Sequence, residues 1–115
     1  MSAHQTNLVD KNTQYAADFR QGHLALPPAK QYLILTCMDA RIDPAAAFGI
    51  DLGDAHVIRN AGAVAKAAIR DIVVSEQLLG TKEIILIKHT GRPIFLSVLD
   101  FAIFGDADCV QDAEC

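Results

Sequence analysis

Tyr32-Leu33-Ile34-Leu35-Thr36-Cys37-Met38-Asp39-Ala40-Arg41 is the stretch that decides the architecture. Its first six residues are nearly continuously apolar, the pattern of a strand buried on both faces by helices; a strand with one wet face would alternate. Upstream, Thr6 to Arg20 carries Leu8, Tyr15, Ala16 and Phe19 at roughly helical spacing, which predicts an amphipathic helix stopping near Gly22, before the break at Pro27-Pro28. Downstream, Asp43-Pro44 followed by Ala45-Ala46-Ala47-Phe48 reads as an N-cap aspartate, a proline in the first helical position and a short helix ended by Gly49. Ala55 to Arg59 predicts a second strand. Lys66 to Leu79 predicts a helix stopped by Gly80, and Glu83 to Lys88 a third strand. Strand, helix, strand, helix, strand is the order of an α/β fold, a doubly wound parallel sheet flanked by helices.

Composition narrows the function classes. The 115 residues, 51% of them hydrophobic, allow a single domain with a modest core. A net charge of −4 without any basic run gives no electrostatic footprint for nucleic acid and no polybasic patch for a membrane, so neither partner is expected. The three cysteines are odd in number and widely spaced, which does not make a disulfide framework and points to an intracellular chain. Met1 to Asp10 is polar, and no stretch reaches the roughly eighteen apolar residues of a membrane span, so the expected location is cytoplasmic.

In sheets of this kind the working residues gather beyond the carboxyl ends of the strands, at a switch in strand order. Cys37, Arg59 and His89 all fall at such ends. A thiolate and an imidazole at the ends of neighbouring strands are two-thirds of a zinc site. Taken alone, however, a cysteine ending a strand also suits a small buried hydrophobe, and a strand-end histidine suits a hydrogen-bonded core or surface residue. Both readings stay open on these residues.

Three segments carry a resemblance: Cys37-Met38-Asp39-Ala40-Arg41, then His56-Val57-Ile58-Arg59-Asn60-Ala61-Gly62, then Gly80-Thr81-Lys82-Glu83-Ile84 leading to His89-Thr90. In this order and spacing, from about Tyr15 to Thr90, the chain resembles a β-class carbonic anhydrase. The resemblance implies a zinc cofactor held by Cys, His and Cys, with Cys37 and His89 as ligands and Asp39 as a further ligand in a closed form only. Zinc lowers the pKa of a bound water, so that hydroxide attacks carbon dioxide and yields bicarbonate and a proton. Asp39 and Arg41 would be the catalytic dyad, the guanidinium holding the carboxylate ionised and away from the metal so that it orients the hydroxide or accepts its proton. Arg59 and Asn60 would brace the site and a subunit contact. The family implies a homodimer or a higher multiple in the intact protein.

After Thr90 the pattern breaks. The family continues His-x-x-Cys-Gly with its third zinc ligand, whereas this chain has His89-Thr90-Gly91-Arg92-Pro93. A guanidinium has no lone pair for a metal and stays protonated, so Arg92 cannot stand in for a thiolate. Residues 1–90 therefore read as a partial carbonic anhydrase-like domain and 91–115 as a tail outside the family, apolar from Ile94 to Phe104 and without clear period. One reading of the tail is a translated retained intron. Asp112-Ala113-Glu114-Cys115 can be encoded GAT GCG GAA TGC, which one phase along contains TGC GGA ATG, Cys-Gly-Met, the family's own continuation. Gln111 can be CAG, an intron end, and Gly91 can be split G|GT, so that splicing would restore His-Thr-Gly-Cys-Gly-Met.

Three functions are then expected of such a chain: hydration of carbon dioxide; hydrolysis of a related small heterocumulene such as carbonyl sulfide by the same site; or no catalysis, in a metal-poor fragment or pseudoenzyme that associates with intact subunits.

Overall fold

The computed structural model describes residues 1–89 and 101–105. Its centre is β1 (Tyr32–Cys37), which pairs in parallel with β2 (Ala55–Asn60) on one side and with β3 (Glu83–Ile87) on the other. β4 (Phe101–Gly105) lies antiparallel along the far side of β3, giving the order β2-β1-β3-β4. This last strand falls in the tail whose hydropathy has no clear period. The open backbone groups of β3 are what it pairs with, since an edge strand is a template for any extended segment.

Burial follows the apolar run. Leu33, Ile34, Leu35 and Thr36 are each at most 3% exposed, as a strand covered on both faces requires. On one face Leu33 and Leu35 join Leu86 of β3, Ala63, Ala68 and Ile72 in a single cluster. Ile72 belongs to α3 (Ile69–Leu79), which Gly80 ends in the left-handed region at φ +76°. The predicted helix over Lys66 to Leu79 is in fact two pieces, a 3-10 turn over Ala65–Ala68 and then α3. Val64, at the start, offers no capping side chain, and the tighter i→i+3 bonds of a 3-10 turn satisfy end groups that a cap would otherwise take. The short helix α2 (Pro44–Phe48) forms as expected, with the Asp43 carboxylate accepting from the Ala45 N–H and Gly49 closing its end.

The first helix, α1 (Ala3–Asp18), starts earlier than its hydropathy suggests. Ser2 and Gln5 form a reciprocal capping box: Gln5 N–H donates to Ser2 Oγ, and Ser2 N–H donates to Gln5 Oε1. Gly22 is not its stop. The chain turns extended at Phe19, and the Arg20 guanidinium donates to the carbonyls of Ala17 and Phe19 instead. No residue of α1 is buried, and Leu8 and Tyr15 are 67% and 58% exposed, so the expected apolar face is uncovered among the described residues.

A polar relay crosses the core from β2 to α3. Ser75 Oγ lies 2.6 Å from His56 Nδ1 and 2.6 Å from Thr81 Oγ1, and Ser75 and Thr81 are each 3% exposed. Among the described residues no buried side-chain nitrogen or oxygen lacks a hydrogen-bond partner.

Two substitutions test this core. Leu35→Ala should cost about 2–5 kcal/mol by leaving a cavity in the central strand, a large share of the roughly 5–15 kcal/mol that holds a domain together. Gly80→Ala should cost about 1 kcal/mol through its left-handed backbone alone, because nothing lies within 4 Å of an added Cβ. Urea midpoints measure both, and an unchanged midpoint for Leu35→Ala would remove β1 from the centre of the core.

Candidate active site

The parallel register places the ends of the three strands side by side. Thr36 of β1 faces Arg59 on one side and Ile87 on the other, and Cys37 faces Asn60. His89 follows two residues beyond β3, so the chain from the second apolar run arrives beside the first. There the His89 imidazole is the largest influence lowering the Cys37 thiol. His89 Nε2 also stands 3.9 Å from Asp39 Oδ2, with the two side chains 26% and 18% exposed.

Asp39 is held by one residue. Its Oδ1 accepts from the backbone N–H of Arg41 at 2.9 Å and from Arg41 Nε at 3.0 Å, while its Oδ2 accepts from the Arg41 terminal guanidinium nitrogen at 2.6 Å. This fork-to-carboxylate pairing is the geometry for which arginine is suited. The Arg41 guanidinium, helped by the Arg41 N–H, holds the Asp39 carboxyl well below the usual carboxylate range, against a smaller opposing effect of burial; Asp39 in turn raises Arg41. Cys37 is lowered too. The His89 imidazole is the largest cause, then the N–H of Gly62, with burial opposing and the N–H of Asp39 adding.

Arg59 touches neither the thiol nor the carboxylate. Its Nε donates to the carbonyl of Cys37 at 3.0 Å, and one terminal nitrogen donates to the carbonyls of Asp39 and Ile42, both at 2.9 Å. Asn60 closes its own turn onto Val64 through its side-chain amide. The structure thus brings Cys37, Asp39, Arg41 and His89 together, with Arg59 and Asn60 behind them. Gly62 was not among the residues expected from sequence to act on the site. The only signal for it was an asparagine two positions ahead of a glycine, a turn pattern that does not say which group its N–H meets.

A zinc ion needs at least three protein donors. Among the described residues no group of three or more His, Cys, Asp or Glu side chains is placed to hold a metal ion. Cys37 and His89 are two suitable donors, but both Asp39 oxygens are committed to Arg41. Residue 92, where the third ligand is missing from the sequence, lies outside the described residues. Among the described residues the donors do not complete a zinc site.

Comparison with known proteins gives the family of this fold. The family model "Carbonic anhydrase" matches residues 32–91. The chain belongs to the β-class carbonic anhydrase family. Beta-carbonic anhydrase 1 of Mycobacterium tuberculosis is 51% identical to it over 80 residues, 69% of this chain and 48% of that protein. A carbon disulfide hydrolase of Saccharolobus solfataricus is 42% identical over 84 residues, 71% of this chain and 41% of that one. Among solved structures, a carbonic anhydrase from Glaciozyma antarctica superposes with a TM-score of 0.72 at 48% identity, covering 81% of this chain and 56% of its own. This carbonic anhydrase-family chain spans about half the length of the curated relatives it matches.

Arg41→Gln tests the electrostatics. A carboxylate depressed in the folded state stabilises the fold above its unfolded pKa, and that contribution is lost as pH falls through the folded value. The Asp39 carboxyl should therefore remain ionised in the native chain below the normal aspartate range, and Arg41→Gln should move its titration up toward that range. Carboxyl-carbon NMR reads this directly; an unmoved Asp39 in Arg41→Gln would assign the depression to the backbone N–H instead.

Proposed function

We propose that this chain carries the catalytic half of a zinc-dependent carbonic anhydrase, which hydrates carbon dioxide reversibly to bicarbonate. The observation that carries the reading is the convergence of Cys37 and His89 beside an Asp39 that Arg41 keeps ionised. Zinc is the cofactor this donor pair suits, as a borderline-soft cation taking thiolate and imidazole. In this reading Asp39 would orient the attacking hydroxide or accept its proton, and Arg41 would hold it. Arg59 fixes the backbone between Cys37 and Ile42 on which both stand.

A second reading has its own support. Carbon disulfide hydrolases stand among the similar proteins, at 42% identity for the one from Saccharolobus solfataricus. Hydrolysis of carbonyl sulfide or carbon disulfide is thus the alternative within the same family. The third reading, a metal-poor fragment, draws support from the count of two donors among the described residues.

A homodimer is the proposed assembly. The uncovered apolar residues of α1 and the exposed Val57 on the outer strand β2 support it, because both would gain by burial against a second copy. A cytoplasmic location is kept as part of the proposal; among the described residues no helix is long and apolar enough to cross a membrane. The family match ending at residue 91 supports a boundary after Thr90, with 91–115 as the retained-intron tail. Sequencing the transcript across the Thr90 codon tests that boundary: a spliced message encoding cysteine at position 92 supports it, and an unbroken one sinks it.

Zinc content by mass spectrometry, with stopped-flow rates on carbon dioxide, carbonyl sulfide and carbon disulfide, separates the three functions. The expected result in Arg92→Cys, which restores the thiolate the family has at that place, is bound zinc and a rate highest for carbon dioxide, both lost when Cys37→Ala is added. A full equivalent of zinc retained in Cys37→Ala would refute the site. A chain without zinc and without any rate would establish the metal-poor reading.

A further inference from the structure

β3 is fixed on one side and available on the other. Against β1 it runs in parallel register from Tyr32 with Glu83 to Thr36 with Ile87. Its start is tied down as well: the Lys82 N–H donates to the Gln31 carbonyl at 2.8 Å, and the Thr81 N–H to the Ser75 carbonyl at 3.1 Å. Leu86 and Ile87 project to opposite faces of the sheet and are 6% and 2% exposed, so both faces of the strand are covered at its carboxyl end. What these contacts leave over is the backbone of the far side. Alternate N–H and C=O groups of β3 point away from β1, and an edge of that kind is a template for an extended segment that reaches it.

β4 is such a segment. It lies antiparallel along the whole of β3, from Glu83 with Gly105 to Ile87 with Phe101. Antiparallel neighbours are commonly joined by about two to five residues, and the turn then fixes their register. Here thirteen residues, 88–100, separate the two strands. A connection of that length lies outside the tight turns that set register, so the pairing rests on the strands themselves. It serves as a tether, and a short tether holds its load at an effective concentration on the order of a millimolar. β4 also lies beyond residue 91, where the family match ends, so a strand from outside the matched stretch fills this edge. Recognition of that kind is read from backbone to backbone.

We infer that the outer edge of β3 is a strand-acceptor site: it binds an extended peptide segment antiparallel through backbone hydrogen bonds, and its occupant in this chain is the tethered segment Phe101–Gly105. The mode is strand addition to a sheet edge, in which main-chain hydrogen bonds supply the affinity. Because the occupant comes from the chain's own tail, filling the site also withdraws the edge from pairing with other molecules. A free peptide of the same sequence competes for the edge once its concentration approaches the effective concentration of the tethered strand.

Hydrogen exchange of the β3 amides in the full chain, read residue by residue by NMR, tests the inference. Successive residues of a strand send their N–H groups to opposite sides, and proline has none. Of Ala102→Pro and Ile103→Pro, one therefore deletes a bond to β3, while the other falls on the outer side, where proline is tolerated. The first should speed exchange of the β3 amides that face β4 about tenfold, as the loss of roughly one hydrogen bond implies; the second should leave them nearly unchanged. The β3 amides that face β1 should stay protected in both, which reports an intact sheet. A synthetic peptide spanning residues 100–106, added at about 1 mM, should restore protection in the sensitive variant, and the same peptide carrying that proline should not. The inference is overturned by outward β3 amides that are unprotected in the unsubstituted chain, that respond to neither proline or equally to both, or that the peptide does not protect. Protection that rises with protein concentration would assign the edge to a second copy and overturn the tethered occupant. Should the sensitive variant not fold, the unsubstituted chain decides: excess peptide should strip protection from residues 101–105 while β3 keeps its own, and an undisturbed 101–105 would count against the site. No readout involves metal or turnover, so absent hydration of carbon dioxide would count against the proposed function alone.

Discussion

Burial of β1 on both faces is the constraint on which the rest depends. Four consecutive residues, Leu33 to Thr36, are withdrawn from water, and a strand with no wet face must have covered neighbours on both sides. Ala63, Ala68 and Ile72 pack on one of those faces, while parallel pairing with β2 and β3 closes both edges of β1 and fixes which residues meet at the carboxyl edge. A slip of one residue in either ladder would turn the facing side chains to the other surface of the sheet. The register that buries Leu35 between Ile58 and Leu86 is therefore the register that sets Cys37 opposite Asn60.

From that edge the chemistry is assembled almost wholly by backbone and by fixed pairs. Arg41 reaches back two residues to Asp39, Arg59 gathers three carbonyls, and the Asn60 side chain closes the turn that follows it onto Val64. Each charged group at the centre has a partner that favours its ionised form. Their shared effect is to favour the charged forms of a thiol and a carboxyl at a place where partial burial opposes both.

Much of this was legible in the residues. The apolar run of β1, the Asp43-Pro44 start of α2 and the Gly80 stop of α3 are local signals with local causes, and they appear where the pattern placed them. The meeting of Cys37 and His89 followed from the topology, because strand ends in a parallel sheet share one edge. Other features depended on partners that hydropathy does not encode. The start of α1 was set by a two-residue capping box, and the 3-10 turn before α3 by the missing cap at Val64. The strand over Phe101–Gly105 depended on an available edge rather than on its own period. The burial of Ala63 was hidden for a related reason: a motif shows that a turn exists, but only the fold shows what the turn packs against.

The place of β1 in the sheet also bears on how the molecule comes to be made. β1 is first of the strands in the chain and stands between β2 and β3 in space. As the polypeptide emerges from a ribosome, β2 can dock against a strand already present, and β3 can dock later on the opposite side without displacing it. Growth outward from an early centre keeps each pairing step short-range for its stage of synthesis, which limits the time that a bare apolar strand spends exposed to other nascent chains.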